Sequence, residues 1–322
     1  MNPLVSILIP CYNAEQWIEQ AIDSALKQTY QNTEVIVVDD GSSDRSLEII
    51  ESYGRQISWL TQENQGGNVT RNRLLQLSKG SWLQYLDADD YLLPDKVAKQ
   101  IEFLAQNPNT DIIYSPSIIQ YHDTEVISKE VLSISQPHDP LILLARWYLP
   151  QTGSPLWRKE AVVSVGGWKA NQPCCQEHEL YLRLLQAGKK FNYCDFAGAI
   201  YRQWSELTVC KKDKTETYHR RLEITDKLEQ HLVQTQQLTK LRQHQINRAR
   251  FECARIIWLT DKQWANTIVA RIHNTEQTFS PWGECAPQTY RLMYRWFGFE
   301  IAERIAAIKR RLTVSNASFV NS

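Results

Sequence analysis

Along residues 1–115 the apolar positions switch between two periods. Leu4-Val5-Ser6-Ile7-Leu8-Ile9 is a nearly continuous apolar run that stops at Pro10, and it predicts a strand buried on both faces of a parallel sheet. Ile18, Ala21, Ile22, Ala25 and Leu26 then recur at offsets of three, four, seven and eight, one face of an amphipathic helix. Val35-Ile36-Val37-Val38 predicts a second strand, and Asp39-Asp40-Gly41-Ser42-Ser43-Asp44 after it supplies turn and helix-capping residues. Ile57-Ser58-Trp59-Leu60, Trp82-Leu83-Gln84-Tyr85-Leu86 and Asp111-Ile112-Ile113-Tyr114 are three further strands. Helices are expected around Leu47–Ile50, from Gly66-Gly67 to Leu77, and after Pro94.

Strand and helix alternating at this spacing imply βαβ units with right-handed crossovers. The expected fold is α/β, a Rossmann-like and mostly parallel central sheet with flanking helices. In such sheets ligands bind beyond the carboxyl ends of the strands. Asn13, Asp39, Asp40, Asp87, Asp89 and Asp90 all follow a strand and so share that rim.

Later residues change period. Residues 116–205 are mixed, with polar loops and a helix near Glu179–Ala187. Residues 216–258 are helical in character, Trp264–Ile272 adds a helix, and a last one runs from about Gln288 to Leu312, loosened at Gly298. The carboxyl-terminal region is therefore expected to be α-helical.

Composition narrows the classes. At 322 residues, 43% hydrophobic and 22% charged, the chain suits a folded protein with one large domain and an appendage. Lys plus Arg equal Asp plus Glu at 36 each, so net charge gives no sign of a nucleic-acid partner. Seven cysteines without a CxxC spacing fit free thiols in a reducing compartment. No secretory signal and no membrane-spanning run is evident, and a cytoplasmic protein is expected, at most peripheral on the inner face of a membrane. Basic residues gather after residue 203. Near the end Trp296, Phe297, Phe299, Ile301, Ile305 and Ile308 interleave with Arg295, Arg304, Lys309, Arg310 and Arg311. An interfacial helix drawn to anionic lipid is one reading. A helix packed on the rest of the protein with a solvated basic end is the favoured one, because Glu300 and Glu303 dilute the basic face.

Asp87-Ala88-Asp89 carries the clearest chemistry. Two carboxylates two residues apart can share one hard cation, which takes oxygen ligands and bridges to a diphosphate. An acidic loop capping the next helix is the plainer alternative. Asp39 and Asp40 can accept from a nucleobase or from ribose hydroxyls, or cap a helix together with Ser42 and Ser43. Arg71 can reach a base or a phosphate, or lie on a solvated helix face.

Taken in order, Pro10-Cys11-Tyr12-Asn13, Val37-Val38-Asp39-Asp40-Gly41-Ser42, Asn64-Gln65-Gly66 with Arg71-Asn72, and Leu86-Asp87-Ala88-Asp89-Asp90 with Pro94 resemble the nucleotide-sugar half of family-2 glycosyltransferases. The resemblance covers residues 3–115 densely. It implies a GT-A fold, with residues 1–115 as the nucleotide-sugar half, 116–210 as the acceptor half and 211–322 as a helical region. It implies an inverting, metal-dependent transferase using Mn²⁺ or Mg²⁺ and a nucleotide-sugar donor, UDP-linked by default. The acceptor would be a saccharide, a lipid-linked saccharide or a protein, possible in polysaccharide or cell-surface glycan synthesis.

Residue by residue, the resemblance makes Tyr12 and Asp40 nucleobase contacts, Asp39 a helper near base and ribose, and Arg71 a neighbour of the base, with Pro10 and Asn13 in the same loop. Asp87 becomes a ribose or metal-shell contact and Asp89 the direct metal ligand. Gln176-Glu177-His178-Glu179-Leu180-Tyr181-Leu182-Arg183 aligns with the family's acidic pair and puts Glu177 where the catalytic base sits. Glu179 is the rival carboxylate. Three departures stand out: Thr70 where the family has a small residue, Glu177 where it has Asp, and Trp204 after Tyr201-Arg202 where many relatives place a His. A nucleotide-sugar-binding protein without turnover is the alternative function. A nucleotidyltransferase would carry a Gly-rich phosphate loop after the first strand, and Pro10-Cys11-Tyr12-Asn13 is not one.

Overall fold

The structure is a computed structural model that describes residues 2–122, 127–204, 214–283 and 285–319. They divide into two compact units. One comprises the described residues up to Pro140 and those from Tyr148 to 204; the other takes Leu141–Trp147 and the described residues from 214 onward. The expected boundary near residue 210 lies outside the described residues.

The first unit opens β1 (Val5–Cys11), α1 (Ile18–Leu26), β2 (Thr33–Asp39), α2 (Ser46–Ser52), β3 (Ser58–Thr61), α3 (Gly67–Leu77) and β4 (Trp82–Tyr85). It continues with β5 (Tyr91–Leu92), α4 (Lys96–Gln106), β6 (Ile112–Tyr114), β7 (Ser117–His122) and β8 (Ile127–Leu132). After α5 (Pro140–Ala145), which but for Pro140 belongs to the second unit, the first resumes with β9 (Leu156–Arg158), α6 (Lys159–Ser164), α7 (Gln176–Gln186), β10 (Phe191–Tyr193) and β11 (Ala199–Gln203).

Seven strands form the central sheet in the order β10-β6-β9-β4-β1-β2-β3. All neighbours run parallel except β9, which lies antiparallel between β4 and β6. The expected α/β plan with a mostly parallel sheet is what forms. The apolar runs explain it: β1 is buried at every position but Pro10, and β2 from Val35 onward. On α1 the buried side chains are Ile18, Ala21, Ile22 and Ala25, which pack against Ile7, Ile9, Val35 and Val37 of β1 and β2. Fully burying one such Ile contributes about 1.5–3 kcal/mol.

Two features were not legible. The insertion of β9 pairs Leu156 and Trp157 with strands far away in sequence. A second sheet, β5-β11-β7-β8, forms from residues read as mixed loops. Its β8 is exposed along its whole length and shows no apolar period.

The second unit is helical, as expected. It contains α8 (Lys214–Gln234), α9 (Lys240–Ile257), α10 (Lys262–Thr275) and α11 (Gln288–Phe319). The stretch read as continuous from 216 to 258 is broken at residues 235–239, where the Thr239 hydroxyl caps α9 by accepting from the Arg242 N–H. Phe251, Trp258, Tyr290, Tyr294 and Phe299 share an apolar core. At Gly298 the backbone leaves helical geometry, with φ 74° and ψ −178°. Among the described residues no helix is long and apolar enough to cross a membrane.

Candidate active site

Parallel pairing sets the floor of the site. Cys11 pairs with Asp39 and Leu8 with Tyr85, so β1, β2 and β4 end on one rim. The loops after β1 and β2 are stitched together. Asn13 sits at φ 48°, a conformation that its short amide side chain tolerates. Its N–H donates to Ser42 Oγ at 2.9 Å, and its side-chain oxygen accepts from the Ser43 N–H at 2.8 Å. The Ala14 N–H donates to Ser46 Oγ at 2.8 Å. Pro10 lies past the end of the pairing with β4. Tyr12, 54% exposed, stands on this loop.

The adjacent acids Asp39 and Asp40 have separate surroundings. Asp39 is buried and outside the cleft wall; its carboxylate accepts from Thr61 Oγ1 at 2.9 Å and from the Ser42 N–H at 3.3 Å. Asp40 borders the cleft, but its oxygens accept from Gln62 Nε2 at 2.7 Å, the Gln65 N–H at 3.1 Å and the Gly66 N–H at 2.8 Å. It thereby holds the loop that leads into α3. Gly41 must be glycine: at φ 76° an added Cβ would stand 2.9 Å from the Asn64 nitrogen.

Three carboxylates crowd the end of β4. Asp87 pairs with Arg71, whose Nη2 donates at 2.7 Å. The other arm of Arg71 donates to Gln176 Oε1 at 2.9 Å, and its guanidinium lies 5.0 Å over the Trp168 ring. Asp89 Oδ2 accepts from the indole N–H of Trp204 at 2.9 Å. Burial pushes the Asp89 carboxyl above its usual range, and the charge of Asp87 adds to the rise. Burial also holds Asp90 well above that range, reinforced by the charges of Asp89 and Asp87. Asp90 accepts from the Arg202 N–H at 2.8 Å. Arg202 donates to the Asp89 carbonyl at 2.6 Å and lies 4.7 Å over both Trp17 and Tyr91.

This donor set fits a hard dication. Asp87 and Asp89 offer carboxylate oxygens in one cleft, and their mutual repulsion is what a cation would relieve. No group of three or more His, Cys, Asp or Glu able to hold an ion is present among the described residues.

The far wall comes from α7. Its sequence pattern suggested a start near Glu179, but the helix begins at Gln176, after Cys175 in a left-handed turn at φ 58°. Glu177 faces the cleft, and its Oε1 accepts from Thr152 Oγ1 at 2.5 Å. Glu179 is buried outside the cleft wall and accepts three hydrogen bonds from Arg183 at 2.7–3.0 Å. Cys174 and Cys175 border the same space as free thiols, their sulfurs 3.9 Å apart.

Together these walls enclose a cleft of about 630 Å³. It gathers Pro10 from the end of β1, Tyr12, Asn13 and Asp40 from the loops after β1 and β2, Arg71 from α3, Asp87 and Asp89 from the loop after β4, and Glu177 from α7. Of the residues singled out in the sequence, Asp39, Asp90 and the rival acid Glu179 stay outside. Trp17, which lines the cleft, and Thr152, which reaches it only through Glu177, are marked by no motif. A larger cavity of about 950 Å³ lies in the helical unit, where Arg250, Arg271, Asp226 and Glu229 satisfy one another.

The sequence model described as "Glycosyl transferase family 2" matches residues 6–154. Two curated relatives from Haemophilus influenzae, each called "Uncharacterized glycosyltransferase", are similar. The first is 38% identical over 146 residues, 44% of this chain and 57% of its own length. The second is 30% identical over 207 residues, 60% of this chain and 68% of its own. A Rickettsia prowazekii glycosyltransferase is 45% identical over 112 residues, 35% of each chain. The chain thus spans about a third to two thirds of the lengths of these relatives. Among solved structures, S. aureus TarS 1–349 in complex with UDP-GlcNAc aligns with a TM-score of 0.59 over 85% of this chain and 90% of its own, at 14% identity. That likeness is one of fold, of the GT-A type.

Proposed function

The chain belongs to glycosyl transferase family 2, and we propose that it moves a sugar from a nucleoside-diphosphate sugar to a hydroxyl acceptor with inversion, assisted by a divalent cation. One observation carries the reading. Asp87, Asp89 and Glu177 come from opposite walls of a single cleft whose rim also presents Tyr12.

In this reading residues 1–115 bind the donor and residues 116–210 the acceptor. Tyr12 offers its exposed ring to the nucleobase, and Asp40 fixes the loop beside it. Asp89 and Asp87 would hold Mn²⁺ or Mg²⁺, which when bound neutralises charge on the departing diphosphate. Glu177 accepts the proton of the acceptor hydroxyl as that oxygen bonds to the anomeric carbon. The bond from that carbon to the donor phosphate breaks on the opposite face, and the nucleoside diphosphate leaves. Thr152 steadies the Glu177 carboxylate by donating to Oε1. UDP is the first nucleotide to examine, as the family's commonest and as the nucleotide in the TarS complex.

Thermal unfolding with UDP-, dTDP- and GDP-sugars in the presence of Mn²⁺ tests the proposal, since a ligand of the native state raises the melting temperature. A rise with one nucleotide class, followed by sugar transfer with that donor, is expected. Stabilisation without transfer or donor hydrolysis would instead mark a nucleotide-sugar-binding protein. No stabilisation by any donor would overturn the assignment.

A further inference from the structure

Helix α11 leaves a large apolar surface exposed. Before Gly298, Leu292, Trp296 and Phe297 face solvent while Tyr290 and Tyr294 pack into the core of the helical unit. After Gly298, Ile301, Ile305 and Ile308 face solvent at spacings of four and three, while Phe299 and Ala302 are buried. Trp296 is 74% exposed and Phe297 57%. A helix whose sole task was packing would turn such residues inward.

The charges beside this face are basic. From sequence alone, Glu300 and Glu303 weaken that reading. The structure removes Glu303 from the face: it is fully buried and paired with Arg255. Glu300 is neutralised by Arg304, which donates at 2.6 Å. Arg295 remains exposed next to Trp296, and Lys309-Arg310-Arg311 follow in the sequence. Apolar side chains led by a Trp, with the exposed Arg295 beside it, match the boundary between acyl chains and anionic headgroups.

We propose that the exposed face of α11, from Leu292 to Ile308, docks on an anionic lipid surface. Trp296, Phe297 and the three isoleucines enter the headgroup region, and Arg295 meets the lipid charge. The inference is independent of the transfer chemistry, because none of these residues borders the cleft.

Vesicle sedimentation of the full chain tests it, with phosphatidylcholine vesicles made with and without phosphatidylglycerol. Binding to the anionic vesicles alone is expected. It should fall in about 1 M salt, where the screening length shortens to about 3 Å. The W296S/F297S/I301S variant should bind at least tenfold more weakly while keeping its circular dichroism and melting temperature, since all three side chains are exposed. R295E should weaken the preference for anionic vesicles. The proposal fails if the protein binds neither vesicle, or if the apolar variant binds as well as the parent. It also fails if light scattering shows a dimer that the apolar variant converts to a monomer, because a second copy would then cover the face.

Discussion

The indole N–H of Trp204 donates to Oδ2 of Asp89 at 2.9 Å. The family resemblance implies a His after the Tyr201-Arg202 pair; in this chain an indole N–H instead meets the Asp89 carboxylate. Groups that orient a metal ligand are worth about 10–100-fold in metal affinity. Trp204→Phe should therefore weaken Mn²⁺-dependent UDP binding by roughly tenfold and leave metal-free binding unchanged. Asp89→Ala should abolish the metal-dependent part. Calorimetric titration of UDP with and without Mn²⁺ reads both; unchanged affinity in Asp89→Ala would end the metal assignment.

Asp40 spends its oxygens on the Gln62 side chain and on the Gln65 and Gly66 amides. Asp40→Ala should release that loop and weaken UDP binding even without metal. A loss confined to the metal-dependent component would move Asp40 into the metal shell.

Arg71 bridges Asp87 to Gln176 at the start of α7, joining the two walls of the cleft. Its side chain is 9% exposed, so Arg71→Met leaves Asp87 without its ion partner. A loss of about 3 kcal/mol in urea unfolding is expected. Arg71→Lys should recover part of that stability but little turnover, because one ammonium cannot reproduce the two-armed contact. Equal turnover in Arg71→Lys and the parent would show that the bridge has no part in transfer.

Glu177 and Glu179 separate the base from its neighbour. A positioned base contributes about 10²–10⁴-fold in rate, so Glu177→Gln should bind donor normally and transfer slower by that factor. Glu179→Gln should lose stability through its broken pairing with Arg183 and keep most of its turnover. The reverse pattern would shift the assignment by one helical register of two residues.

The helical unit has its own acid dependence. Burial alone would raise the Glu229 carboxyl, but hydrogen bonds and charge from Arg250 outweigh it and lower the pKa from 4.5 to about 2. A lowered folded-state value means a contribution complete above the unfolded pKa and lost as pH falls from there towards 2. The amount is on the order of 3 kcal/mol. Urea unfolding should show stability dropping across that acid window. In Glu229→Gln the profile should start lower at neutral pH and run flatter through the window; an unchanged slope would contradict the pairing.

The local sequence determined what depends on local order. Apolar runs of strand length, helical offsets such as Ile18 to Ala25, and the acids placed just after Val38 and Leu86 made the parallel sheet and its rim legible, because parallel strands are buried on both faces and their loops emerge on one side. Tertiary structure decided what depends on distant partners. The exposed β8 lacks an apolar period, and β9 takes its place through pairing with β4 and β6. Asp39 and Asp40 are adjacent acids in sequence, yet Thr61 engages one behind the rim and Gly66 engages the other beside the cleft. In sequence, Glu177 is favoured as the base only through the resemblance, with Glu179 two residues on as its rival. One turns to Thr152 in the cleft and the other to Arg183, because residues two apart on a helix point in different directions. Glu303 reads as a surface charge until its pairing with Arg255 buries it. Except for Glu179, held by Arg183 one turn away, these carboxylates are directed by partners more than twenty residues off in the chain, which no local pattern encodes.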